Sequence, residues 1–326
     1  MVDNGPASGG LRIAYFGTPA FAVPTLEALL ASHHEVIAVV TQPDRPRGRG
    51  QRVTDAPVKI VARSRGLPVL QPERAKDPEF LAAVAALAPD LGVVAAYGKI
   101  LPQALLDIPR LGLLNVHASL LPAWRGAAPV HRAVMAGEAV TGVTIMRVVL
   151  ALYAGPLLSS RARPIGPDET SAEVEADLAR LGAGLLASAV DDLAAGRVTE
   201  TPQDDGRATY APRLTRDDGA IDWTRPAADL HNQVRGLHPW PHAFTFLDGA
   251  RYLLHRTAVA PGPARGEPGE VFRASGDALV VTAGGATALR VLEIQAEGKR
   301  VLPAREFLAG RRIAPGVRFD AGPGRG

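Results

Sequence analysis

LRIAYFGTPAFAVPTLEALLASHHEVIAVVT, residues 11–41, decides the fold of this chain. Leu11 to Gly17 is a short apolar run that stops at a glycine, the profile of a buried strand. FAVPTLEALLASHH then carries its apolar residues at helical spacing, and EVIAVVT is a second strand-like run. Strand, helix, strand is the crossover unit of a parallel sheet. The alternation continues outward from it. APVKIVARSRG reads as a helix, LPVL as extended, and DPEFLAAVAALA as a helix with an acidic, proline-containing first turn. DLGVVAAYG is another buried strand, LPQALLDI a short helix and LGLLNVHA a further strand. TGVTIMRVVL and LLSSRARPI follow as a pair of extended segments. A long helix, TSAEVEADLARLGAGLLASAVDDLAAG, ends at Gly196. The expectation is an α/β domain whose mostly parallel sheet is covered on both faces.

Beyond Gly196 the character changes. TPQDDGRATYAPRLTRDDG is polar and irregular, as a linker is, and PAADLHNQVRGL supplies one more helix. The runs AFTFL, RYLLHRTAV, GEVF, ALVVTA and ALRVLEIQ are then punctuated by Gly and Pro at hairpin-like spacing, which predicts a small OB-like β-barrel. The predicted organisation is a disordered tail over 1–10, the α/β domain over 11–196, a linker over 197–212, the barrel domain over 213–313 and a mobile tail over 314–326.

Composition narrows the function. The chain has no cysteine, which excludes disulfides and thiolate metal sites. No apolar run is long enough for a bilayer, and MVDNGPASGG lacks the features of a signal peptide, so a cytoplasmic location is expected. No apolar stripe is left over for a partner, and a monomer is expected. The formal charge is only +3, so only the placement of basic residues could point to nucleic acid. The eight histidines form no H-E-x-x-H or H-x-H motif, and no metal is expected. His33 and His34 follow a helix and are read as facing solvent. HPWPH, residues 238–242, is read as fixing the approach to the second domain.

The chemistry concentrates in LLNVHASLLP, residues 113–122. Asn115 and His117 are one residue apart on a strand, so both side chains point to the same side of the sheet. An amide donor beside an imidazole suits acyl-type transfer: one group stabilises a developing oxyanion and the other handles protons. The same pattern also fits a buried amide and a structural histidine at a strand end. The first strand-to-helix turn, YFGTPAFA, is where an α/β protein places a ligand, but it is not G-x-G-x-x-G and supports no dinucleotide. TQPDRPRGRGQRVT packs Arg45, Arg47, Arg49 and Arg52 among Pro and Gly. Such a loop is either simply solvated or a partner for a phosphate backbone. Lys99, in AYGKILP, is read as part of a capping turn.

Taken in order, LRIAYFGTPAFA, VVTQPDRPRGRG, APVK, PDLGVVAAYGKILP, LGLLNVHASLLPAWRGAAPVHRAVMAGEAVTGVTIM and IDWTRPAADLHNQVRGLHPWP resemble the methionyl-tRNA formyltransferase family, over roughly residues 11–310. The N-x-H and S-L-L-P block is common to transferases and hydrolases that use 10-formyltetrahydrofolate. The arginine loop and the NQVRGL–PWP block are more selective for the tRNA enzymes. The resemblance implies a Rossmann-like catalytic domain followed by an OB-like domain that helps hold tRNA; the first passes the formyl group of 10-formyltetrahydrofolate to the α-amine of methionyl initiator tRNA, without a metal. It implies that Asn115 and His117 are catalytic and that Ser119, Leu120, Leu121 and Pro122 bind folate. It further implies that Arg45, Arg47, Arg49 and Arg52 bind tRNA, with Lys299, Arg300 and Arg305 as further basic candidates on the barrel. A non-catalytic folate or tRNA binder, a formyltetrahydrofolate hydrolase and a sugar-amine formyltransferase are the alternatives.

One position departs from the family. Its third catalytic residue is an aspartate in a segment L-D-[TA]-G; here the aligned segment is ALYAGPLL, with Tyr153 at the aspartate position. Leu152, Ala154, Gly155 and Pro156 keep the register. The family aspartate orients the histidine and helps take the proton from the attacking amine. Tyrosine, with an ordinary pKa of about 10, is an uncharged donor at neutral pH. Loss of a positioned acid–base group costs ~10²–10⁴-fold, so impaired catalysis is expected. Asp168 lies past a PIGP turn and is not expected to substitute.

Overall fold

The structure is a computed structural model that describes residues 10–47, 52–320 and 322, the side chains of 46, 47, 52 and 53 excepted. The tail expected over 1–10 lies, up to residue 9, outside the described residues. The chain forms two compact units. The first takes in residues through Ala127, then Thr141–Arg163 and Glu175–Ala211; the second takes in Ala128–Val140, Pro164–Val174 and the chain from Pro212 onward.

The first unit is built on seven strands: β1 (Arg12–Gly17), β2 (Glu35–Val40), β3 (Val69–Leu70), β4 (Leu91–Ala95), β5 (Leu113–His117), β6 (Val140–Arg147) and β7 (Leu157–Pro164). Their order across the sheet is β7-β6-β5-β4-β1-β2-β3. The pairs β1–β2, β1–β4, β2–β3 and β4–β5 are parallel, whereas β5–β6 is antiparallel. In β1 and β2 every residue after the first is buried, and β4 is buried throughout. Near-continuous apolar sequence is what a parallel sheet covered on both faces requires. A long helix, α1 (Ser171–Ala194), approaches β5 and β6 at Gly182, where a Cβ would stand 3.0 Å from Val116 and 3.3 Å from Val143. Under the other strands Phe16, Val94, Tyr97, Leu105 and Leu113 share one apolar cluster, with Phe16 and Tyr97 edge to face at 5.7 Å. All five parallel strands end on one edge, where open α/β sheets place their ligands.

Residues 197–212, expected as a linker, instead run along this unit as far as Ala211. Thr201 pairs with Leu157, and Tyr210–Ala211 lie parallel to Arg125–Gly126. The stretch is polar because its side chains and carbonyls bond to the unit's loops rather than entering a core.

The second unit contains a six-stranded sheet: β8 (Ala243–Leu247), β9 (Ala250–Val259), β10 (Val271–Ser275), β11 (Ala278–Ala283), β12 (Thr287–Ala296) and the short β13 (Leu302–Pro303). The order is β8-β9-β12-β11-β10, with β13 on β12, and all these pairings are antiparallel. Helix Pro129–Met135, which the sequence reading did not separate from the first domain, belongs here. It packs on helix Ala227–Gly236, where a Cβ on Gly236 would stand 2.9 Å from the Met135 nitrogen.

The mobile tail expected over 314–326 is corrected as far as Asp320. Val271 donates to the Val317 carbonyl (2.8 Å) and Phe319 to that of Gly269 (2.8 Å), while Phe246 and Asp320 exchange backbone bonds of 2.9 and 3.0 Å. One short segment therefore bonds beside β10 and to β8, the two edges of the sheet, and closes it into a barrel. Phe319 is only 1% exposed, with its ring 6.1 Å from Trp223 and 6.3 Å from Tyr252. Burial of that ring outweighs the Gly- and Pro-rich composition around it. Among the described residues, no helix is long and apolar enough to cross a membrane.

Candidate active site

β5 delivers Asn115 and His117 to the edge where the parallel strands end, opposite Met146 and Thr144 of β6. The two residues differ in environment. Asn115 is half-buried, and among the described residues its amide has no hydrogen-bond partner, so it is available to donate. His117 is 4% exposed, with Nε2 3.1 Å from the Trp124 carbonyl oxygen. A carbonyl only accepts, so Nε2 carries the proton and Nδ1 keeps its lone pair. Burial pushes the pKa of His117 down to about 4, against the opposing pull of the Trp124 carbonyl. At neutral pH the imidazole is uncharged.

Tyr153 stands beside this ring. The His117 and Tyr153 centroids are 5.2 Å apart and the planes are inclined at 53°. Burial raises the phenol pKa, so Tyr153 carries no charge at neutral pH. Its backbone has φ 61°, in the left-handed region. Aspartate and asparagine enter that region several-fold more readily than bulky residues, so the backbone here suits an aspartate better than a tyrosine. Among the described residues no carboxylate bonds to His117. Asp168 lies in the second unit, where it faces His231 Nε2 at 3.3 Å.

The loop carrying Tyr153 is held by residues that the sequence reading missed. Gln203 Nε2 donates to the carbonyls of Tyr153 (2.8 Å) and Gly155 (2.7 Å). Its Oε1 accepts from Arg125 Nε (3.1 Å) and Nη2 (2.8 Å), and that Nη2 also meets Asp205 at 2.7 Å. Gly155 lies so close to β6 that a Cβ would overlap the Arg147 carbonyl oxygen. The Arg147 amide in turn donates to the Pro156 carbonyl at 2.9 Å. Arg125 stands in the quoted AWRG corner, but nothing local in sequence pairs it with Gln203, 78 residues on.

The segment 119–122 divides its work. Ser119 is fully buried and donates to the Ala123 carbonyl at 2.6 Å, so its hydroxyl shapes the turn. Thr144 Oγ1 donates to the Ser119 carbonyl (2.7 Å) and accepts from the Leu121 amide (3.2 Å), fixing the turn to β6. Leu121 is buried, whereas Leu120 and Pro122 are partly exposed.

Of the arginine loop, Arg45 is exposed, and the backbones of Pro46–Arg47 and Arg52–Val53 pair antiparallel. Arg49 lies outside the described residues, as do the side chains of Arg47 and Arg52. The buried Lys59 joins the two ends of the loop, contacting Asp44 on one side and Asp55 at 2.9 Å on the other. Lys99 donates to the carbonyls of Pro72 (2.6 Å) and Glu73 (2.7 Å), a capping role. On the barrel Lys299, Arg300 and Arg305 are exposed, and Arg300 pairs with Glu306 at 2.9 Å. His34, expected to face solvent, is buried: it accepts from the Leu11 amide at Nδ1 (3.0 Å) and meets Asp191 through Nε2 (3.0 Å).

The chain matches the formyl transferase family over residues 11–190 and the formyl transferase C-terminal domain over residues 213–312, so the fold is that of a formyl transferase. A methionyl-tRNA formyltransferase of Geobacter sulfurreducens is 49% identical over 310 residues, covering 95% of this chain and 97% of the relative. One from Geotalea uraniireducens is 48% identical over 307 residues, with 94% and 97% covered. The chain belongs to the methionyl-tRNA formyltransferase family. In fold it also resembles WlaRD, a sugar 3N-formyl transferase, with a TM-score of 0.67 at 15% identity over 89% of this chain and 99% of that one.

Proposed function

We propose that this chain transfers the formyl group of 10-formyltetrahydrofolate to the α-amine of methionyl initiator tRNA, and that its catalysis is impaired at Tyr153. The observation that carries the reading is the pairing of a free amide at Asn115 with a neutral, buried imidazole at His117, in a chain related over nearly its whole length to methionyl-tRNA formyltransferases.

The amine attacks the formyl carbon, and the Asn115 amide donates to the oxyanion that forms. A new C–N bond to methionine replaces the C–N10 bond of the folate, and one proton passes from the amine to N10. His117 Nδ1 is the group that takes and returns that proton. Leu120 and Pro122 offer apolar surface to the folate, with Ser119 and Leu121 holding the turn. Arg45, Arg47, Arg49 and Arg52 meet the tRNA backbone, and Lys299, Arg300 and Arg305 add contacts from the barrel. The enzyme works as a cytoplasmic monomer.

Tyr153 weakens the relay because it supplies no negative charge to the imidazolium that forms in passing. The test is formylation of charged initiator tRNA by this chain and by Tyr153→Asp, with folate hydrolysis followed in parallel. Faster formylation by the variant is expected. Tight binding of both ligands without turnover in either protein would make the chain a binder instead. Folate turnover indifferent to tRNA would make it a hydrolase or a sugar-amine formyltransferase.

A further inference from the structure

The second unit brings three histidines together. His238 and His242 bracket the Pro-Trp-Pro turn after helix Ala227–Gly236, and His255 lies on β9. The ring centroids of His242 and His255 are 4.3 Å apart, those of His238 and His242 5.4 Å, and those of His238 and His255 6.4 Å. One ring nitrogen from each lies within 4.8 Å of the others.

Three features set this cluster apart from packed aromatic rings. First, Nδ1 of His238 and Nδ1 of His242 are buried with no hydrogen-bond partner. Buried polar atoms are almost always satisfied, and an orphaned pair beside a third imidazole calls for an ion or a water. Second, His255 is oriented from behind. Its Nε2 lies 2.8 Å from Gln295 Oε1, and Gln295 Nε2 donates to the Lys299 carbonyl at 2.6 Å. The amide therefore presents its oxygen to the ring, which keeps the proton on Nε2 and leaves the lone pair on Nδ1. A histidine whose other nitrogen is held by a hydrogen-bond acceptor is the usual arrangement around a metal. Third, the β9–β12 register shifts between Leu254 and Arg256, at His255 itself. Such a shift re-aims a side chain out of the regular alternation.

We propose that His238, His242 and His255 form a binding site for a divalent transition-metal ion of the zinc, cobalt or nickel kind, with a fourth position left to water. Imidazole suits these ions, and three histidines with an open position are an established zinc ligand set. At metal–nitrogen distances of about 2.0–2.1 Å, the three nitrogens would stand about 3.3–3.4 Å apart, a closing of at most about 1.5 Å from their present separations of 4.8 Å or less. Burial holds His238 and His242 below the usual histidine range, so both rings are proton-free and ready to ligate at neutral pH. Glu173 and Glu293 favour a cation here, and Arg256 opposes it. The bound ion would tie the turn carrying the exposed Trp240 to the barrel wall.

The experiment uses the full, untagged chain, stripped with a chelator and titrated with zinc by calorimetry and with cobalt by visible absorption. A single equivalent per chain is expected, with a tetrahedral or five-coordinate cobalt spectrum. His238→Asn and His242→Asn, both at partly exposed positions, should each abolish that equivalent, and Gln295→Leu should weaken it ~10–100-fold. His33→Asn should leave it unchanged, which separates this site from the His33, His34 and Asp191 group. Absence of stoichiometric binding, binding undiminished in both His238→Asn and His242→Asn, or loss in His33→Asn instead would overturn the proposal.

Discussion

Replacing Tyr153 with aspartate is expected to accelerate formyl transfer roughly a hundredfold. The magnitude follows from His117, whose pKa is about 4. At pH 7 such a ring is protonated about one time in a thousand, so placing a proton on it costs about 4 kcal/mol. The relay needs that proton to rest there between the amine and N10. The ring of residue 153 lies 5.2 Å from the imidazole, and an opposite charge at such range raises a pKa by about 1–3 units. Two units remove about 2.7 kcal/mol from the cost, which is roughly 10²-fold in rate. That is the lower end of what a positioned acid–base group contributes, ~10²–10⁴-fold. The left-handed backbone at position 153 also accepts aspartate with less strain than tyrosine, so the variant should fold at least as stably. Single-turnover formylation of initiator methionyl-tRNA at saturating folate, with Tyr153→Phe as the uncharged control, measures the effect. Tyr153→Phe should match the parent, because a neutral phenol adds no charge. An NMR titration of His117 should rise from about 4 to about 6 in Tyr153→Asp, and the acid limb of the rate should move with it. A raised His117 pKa without a faster reaction would refute the relay reasoning, and equal full-strength rates would remove the claim of impairment.

Three further outcomes are expected. Phe319→Ala empties a fully buried ring site where the C-terminal segment closes the barrel, and should destabilise the chain by about 3–5 kcal/mol in denaturant unfolding; a loss within 1 kcal/mol, about the value for an exposed position, would return that segment to a mobile tail. Gln203→Leu removes both donors from the carbonyls of Tyr153 and Gly155 and an acceptor from the buried Arg125, costing about 1.5–3 kcal/mol, with amide exchange around residues 151–155 rising first. Because folding lowers the pKa of His117 from 6.5 to about 4, the unfolded chain binds the extra proton in that window. Stability is therefore full above pH 6.5 and falls by roughly 3 kcal/mol as the pH drops to about 4, a slope that His117→Asn should reduce.

The parallel sheet was legible because its strands are buried on both faces and so read as unbroken apolar runs between helices. β5 ends at His117, and its alternation put Asn115 and His117 on one side without any tertiary information. The departure we propose at Tyr153 rests on a different kind of signal: Leu152, Ala154, Gly155 and Pro156 match the family segment around it, so one residue stands out. Distant pairing was not legible. Gln203 looked like part of a polar linker because a hydrogen bond between side chain and distant carbonyl leaves no periodic trace. Phe319 looked like a residue in a tail because its burial depends on two sheet edges that meet only in the barrel. The three histidines matched no metal motif because the third ligand comes from a strand whose register shift aims it at the turn. Local sequence determined the strands, the helices and the chemistry on offer at β5. Tertiary packing alone decided that His117 is buried and neutral, that its neighbour is an uncharged ring, and that the loop carrying that ring is fastened by residues 50 positions away, because desolvation and long-range hydrogen bonds depend on what surrounds a residue in space.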